Sequence, residues 1–155
     1  MENRKKLHDY SLLLIFLSVL DLFTYFASLI TSVINGTVSD ALSTVEPDIQ
    51  GAVEVGLIIV ACLMAVLTLS DAFIGIKGLK VARNPVADKG YITAAKVLFV
   101  LSILAFALHV GTYFEGSADV VQNTLTVVNT GLDVVVFAIF IKVANAVRAE
   151  ALASK

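Results

Sequence analysis

The stretch AVEVGLIIVACLMAVLTLSDAFIGI, residues 52–76, decides the fold. Between Glu54 and Asp71 it runs sixteen residues without a charge or a proline. It lacks the alternation of polar and apolar positions that marks a half-buried strand. As a helix it would be about 37 Å long, enough to cross a hydrocarbon layer about 30 Å thick. Working outward, three more runs of this kind follow: Tyr10 to Ile34, opening with Leu12-Leu13-Leu14-Ile15-Phe16-Leu17; Ile92 to Phe114; and Val120 to Ile141, continuing as helix toward Ala153. Strands of a membrane barrel are shorter and alternate, so helices are expected throughout. The expected fold is an all-α integral membrane protein. Residues 1–155 form one domain of four transmembrane helices, an up-down-up-down bundle with short loops.

Composition points the same way. Of 155 residues, 58% are hydrophobic and 15% charged, against about 45–50% and about 25% in soluble domains. The mean hydropathy is +0.91. A short chain leaves much of its surface exposed, so this much apolar surface excludes a soluble globular enzyme, and it equally excludes disorder. The net charge of −2 offers no basic field for nucleic acid. Cys62 is the single cysteine, which rules out an internal disulfide and a CxxC metal or redox pair. His8 and His109 are too few for a bis-histidine haem stack, and no cofactor is expected. Without tryptophan, an interfacial aromatic belt must come from Tyr10, Tyr25, Tyr91 and Tyr113. No cleavable signal peptide is expected, because the first apolar segment is too long for an h-region.

Charges orient the runs. The connection 36–50 carries Asp40, Glu46 and Asp48, and Glu115 to Asp119 is again acidic. The connection 77–90 carries Lys77, Lys80, Arg83 and Lys89. Arg4, Lys5 and Lys6 precede the first run, Lys96 lies one turn inside the third, and Lys142, Arg148 and Lys155 follow the fourth. Every lysine and arginine thus falls on one side. The positive-inside rule then predicts a multi-pass cell-membrane protein with both termini and the middle loop in the cytoplasm. In the first outer connection Val38, Ala41, Leu42 and Val45 share a helical face, predicting a short interfacial helix ended by Glu46-Pro47. Asn84 is expected to cap the third long helix, with Pro85 in its first turn. Asn35-Gly36-Thr37 is a formal glycosylation sequon at the membrane edge.

Ionisable groups inside the apolar runs are the strongest functional signal. Asp21 and Asp133 sit near the middle of the first and fourth runs, and Asp71 sits in the inner half of the second. Glu54 and His109 lie nearer the outer ends. A central aspartate costs roughly 2.5–3.5 kcal/mol on insertion scales, so it should face a protein interior, a hydrated cavity or a subunit interface. Steps of three and four align Ser18, Asp21, Tyr25, Ser28, Ser32 and Asn35 on one face of the first helix. The fourth aligns Gln122, Thr126, Asn129 and Asp133, and the third aligns Ala95, Ser102, Ala105, His109 and Thr112. The second presents Ala61, Ala65, Thr68, Ala72 and Gly75, a face suited to close packing. Phe16, Phe137 and Phe140 lie below the two central aspartates and are expected to close the path.

Two functions are compatible with this pattern. In the first, the chain is a homo-oligomeric subunit in the lipid bilayer that conducts or transports a small cation or proton. Asp21 and Asp133 bind the ion, Asp71 relays it inward, and Ser18, Tyr25, Ser28, Thr126, Asn129 and His109 line the polar pathway. In the second, the chain is a non-transporting scaffold or partner-binding subunit whose carboxylates are protonated hydrogen-bond donors between helices. Serines and threonines in such helices often only bond the preceding turn, and a lone His109 suits packing. Asp21, His109 and Asp133 would supply three metal ligands on three helices, although no local spacing demands a metal. No HExxH, nucleophile elbow or phosphate loop is present, and no enzymatic activity is expected.

Overall fold

A computed structural model describes residues 2–85, 89–114 and 120–154, with all side chains except those at 28, 37, 40, 41, 112 and 120–123. The described chain is helical without a strand. Four long helices are α1 (Glu2–Ile34), α3 (Pro47–Arg83), α4 (Gly90–Phe114) and α5 (Val120–Ala153); a short α2 (Thr37–Ser43) lies between the first two of them. All four long helices are long and apolar enough to cross a membrane. In the most apolar window of α3 no residue is buried, and in the other three at most 22% are. Such surfaces suit a multi-pass membrane protein, whose apolar side chains meet lipid rather than water.

Backbone chemistry sets the boundaries. Gly36 ends α1 at φ 72°, a left-handed conformation open to a residue without a Cβ. Before it, the Asn35 and Gly36 amides donate to Thr31 O at 2.9 Å and Val33 O at 3.2 Å. The predicted short helix exists as α2, but Glu46-Pro47 does not end it. The helix stops at Ser43, and Gln50 Nε2 donates to Leu42 O and Val45 O, both at 3.1 Å, satisfying carbonyls at and just beyond its end. Pro47 instead opens α3, a position where its missing N–H costs no hydrogen bond. The expected cap at Asn84 is also corrected. Asn84 closes α3, its amide donating to Lys80 O at 2.9 Å, and α4 begins only at Gly90. The restriction that a proline places on its predecessor acts here to stop a helix.

Two compact units are distinguished, residues 1–17 with 71–155, and residues 18–70. The first holds most of the tight core, including Leu7, Leu14, Ile74, Ala95, Phe137, Phe140, Ala144 and Val147. Within it α4 and α5 run antiparallel. Tyr91 meets Phe140 edge to face at 6.2 Å, and Phe106 packs on Gly131 further along the same two helices. Gly75 lies so close to α1 that a Cβ there would come within 2.8 Å of Ser11 O and 2.7 Å of Ile15 Cγ1. Gly78 is wedged between Ser11 and the Phe140 ring. Close backbone approach at small residues is the main packing device available where lipid is as apolar as the core. The second unit comprises the rest of α1, α2 and α3 up to Ser70. Its exposed side chains include Phe23, Val33, Ile58 and Val60.

Candidate functional site

Apart from Asn35, which is exposed, the polar stripes, where their side chains are described, occupy the sheltered sides of their helices. On α1, Ser18 is buried at 3% exposure and Asp21, Tyr25 and Ser32 are half-buried, while Val19, Leu20, Phe23, Phe26 and Ile30 are exposed. On α5, Thr126, Asn129 and Asp133 are half-buried beside exposed Leu125, Val128, Leu132 and Val135. On α4, Ser102, Ala105 and His109 are half-buried above buried Ala95. On α3, Ala61, Ala65, Thr68, Asp71 and Ala72 are half-buried and Gly75 is buried. Exposed flanks and sheltered polar faces follow the 3.6-residue period. Glu54, at the other end of α3, is exposed. The side chains of Ser28, Thr112 and Gln122 lie outside the described residues.

The candidate residues divide between the two units. Ser18, Asp21 and Tyr25 belong to residues 18–70; Asp71, His109, Thr126, Asn129 and Asp133 belong to the other unit. Ser18, Asp21, Asp71, His109, Thr126, Asn129 and Asp133 all have interaction partners. Tyr25 sets its ring edge-on to Phe26 at 6.1 Å. Several hydroxyls serve their own backbone: Thr68 donates to Met64 O at 2.9 Å, Ser70 to Val66 O at 2.7 Å, Ser102 to Leu98 O at 3.0 Å and Thr130 to Thr126 O at 2.7 Å. Each such oxygen keeps lone pairs with which to accept from a proton carrier or to face a cation.

Two aromatic assignments separate. Phe137 and Phe140 are buried at 1% and 0% exposure, and they fill the core beneath Asp133. Phe16 is 62% exposed. It does not join Phe137 and Phe140 in the core of this chain. Its neighbours Leu14 and Leu17 take the buried face instead.

No family model, curated protein or solved structure matches this chain. Among the described residues, no three His, Cys, Asp or Glu side chains gather as metal ligands would. Some charges near the helix ends have partners one turn away in their own helix. Lys77 places its ammonium 5.4 Å from the Phe73 ring centre. Glu2 and Lys6 pair at 2.5 Å one turn apart. Their hydrogen bond, reinforced by their opposite charges, holds the Glu2 carboxyl below the usual carboxylate range and the Lys6 ammonium above its own. Arg4 reaches 78 residues along the chain to the end of α3, where Nε donates to Ala82 O at 3.0 Å and a terminal nitrogen donates to Arg83 O. A cation on these last carbonyls complements the negative end of the helix dipole. Nothing in the spacing of the N-terminal residues signals that contact.

Proposed function

We propose that the chain is a multi-pass cell-membrane protein with cytoplasmic termini, and that it works as a homo-oligomeric subunit conducting or transporting a small cation or a proton. Asp21 and Asp133 hold the ion or proton, and Asp71 hands it to the basic, cytoplasmic end. Ser18, Tyr25, Ser28, Thr126, Asn129 and His109 supply the oxygens and the imidazole along the way. The observation that carries this reading is the placement of the three aspartates. Each lies inside a helix apolar enough to cross a membrane, yet on its sheltered side. Carboxylates retained there at an insertion cost of roughly 2.5–3.5 kcal/mol each are by default functional groups. Oligomerisation follows from size, since four helices enclose little room for a hydrated path. The orientation rests on the one-sided distribution of lysine and arginine.

The scaffold reading draws support from one observation: all three aspartates already have interaction partners. In that case they tie helices together rather than hold an ion.

The deciding experiment is flux from proteoliposomes over a panel of monovalent and divalent cations and protons, for wild type, Asp21→Asn and Asp133→Asn. Asparagine keeps the hydrogen bonding but cannot ionise. Conduction predicts wild-type flux for at least one ion and a fall of at least tenfold in either variant, with helicity and detergent elution unchanged. No wild-type flux for any ion, or full flux in both variants, refutes it and leaves the scaffold.

A further inference from the structure

The N-terminal turns of α1 and the last turn of α3 form a basic cleft. Arg4, Lys5, His8, Ala82 and Arg83 line a shallow, open cavity of about 330 Å³. Arg4 and His8 stand one turn apart on one face of α1, with Lys5 beside them, and Arg83 closes the opposite wall. All five belong to one unit. Among the described residues, Asp9 brings a carboxylate to these side chains, 3.3 Å from His8 Nδ1. Glu2 is engaged with Lys6, and Glu150 accepts from Asn3 at 2.6 Å. Arg4 is held by two carbonyls of α3. Its fork has five N–H donors, so donors remain for an anion while the guanidinium is already fixed in place.

We propose that this cleft binds the phosphate of an anionic lipid headgroup. Two features select a lipid over a soluble phosphate. First, depth: Arg4 lies about 9 Å beyond the start of the apolar run at Tyr10, and Arg83 about 10 Å beyond its end at Ile76, so both walls reach the same level just outside the apolar layer. Second, each basic wall continues along its helix into exposed apolar side chains. On α1 these are Leu12 and Phe16; on α3 they are Ile76 and Phe73. A headgroup in the cleft therefore has apolar surface beneath it on which its acyl chains can lie. Basic pockets between membrane helices on the cytoplasmic side commonly hold such headgroups.

The test is lipid retention, measured by native mass spectrometry of the full chain in detergent titrated with phosphatidylglycerol or phosphatidylcholine. Arg4 is left intact because it also ties α1 to α3. The variant carries Lys5→Gln with Arg83→Gln, both exposed positions. With two basic side chains removed, its affinity for phosphatidylglycerol falls about thirtyfold, while phosphatidylcholine binding is unchanged. A control with Lys96→Gln and Lys142→Gln, equally exposed and outside the cleft, keeps wild-type retention. Equal loss in the control pair would show a general basic field and overturn the site, as would undiminished retention in the cleft variant. Displacement of the lipid by millimolar inorganic phosphate would assign the cleft to a soluble anion and overturn the lipid. None of these outcomes depends on whether the chain conducts ions.

Discussion

Gly75→Ala is the sharpest probe of how the helices are held. An alanine is usually welcome in a helix, where replacing glycine gains about 1 kcal/mol. At Gly75 the added carbon would meet Ser11 O at 2.8 Å and Ile15 Cγ1 at 2.7 Å. The isoleucine carbon can swing aside; the backbone carbonyl cannot move without shifting α1. Overpacking of this sort costs about 1–3 kcal/mol, which offsets the helix gain and leaves a net loss of up to about 2 kcal/mol. Gly56 lies in the same helix, and a Cβ added there would meet nothing within 4 Å, so Gly56→Ala should keep the gain. The two variants should therefore separate by about 1–3 kcal/mol. For a chain of this size that corresponds to roughly 2–12 °C in the thermal midpoint. Circular dichroism melts in one detergent at one lipid ratio measure the separation. A Gly75→Ala protein that melts at or above Gly56→Ala would show that α1 and α3 do not approach as closely as described.

Two further outcomes are expected. Arg4→Ala removes two charge-assisted bonds to the end of α3 and should cost about 1 kcal/mol, the low end for bonds this near solvent; hydrogen exchange should quicken at Ala82 to Asn84, and unchanged exchange there would refute the cap. In a Cys62→Ala background, Ser43→Cys should react with an impermeant maleimide added to intact cells and Asn84→Cys only after permeabilisation, and the reverse pattern would overturn the orientation.

Much of the candidate site was legible because its pattern is local. Ser18, Asp21 and Tyr25 recur at helical steps, so periodicity alone placed them on one face, and that face is the sheltered one. The serines and threonines were less legible. Thr68 and Ser102 bond the preceding turn, a choice that residue identity permits but does not dictate. The Arg4 contact was hidden, because a basic residue near an apolar run reads as a topology signal whatever its side chain touches.

The sequence by itself determined that there are four long helices and where their polar stripes lie. An apolar solvent leaves each backbone to satisfy its own hydrogen bonds, so long uninterrupted runs have one outcome. It also determined that α2 forms. The structure alone decided that Pro47 starts a helix rather than ending one, since the rule for proline fits both ends of a connection, and here the local backbone rather than tertiary packing made the choice. It also decided that Phe16 faces outward while Phe137 and Phe140 fill the core, and that Gly75 and Gly78 are points where helices touch. In a chain whose outside is as apolar as its inside, hydrophobicity cannot tell the two apart; only the close approach of one backbone to another does.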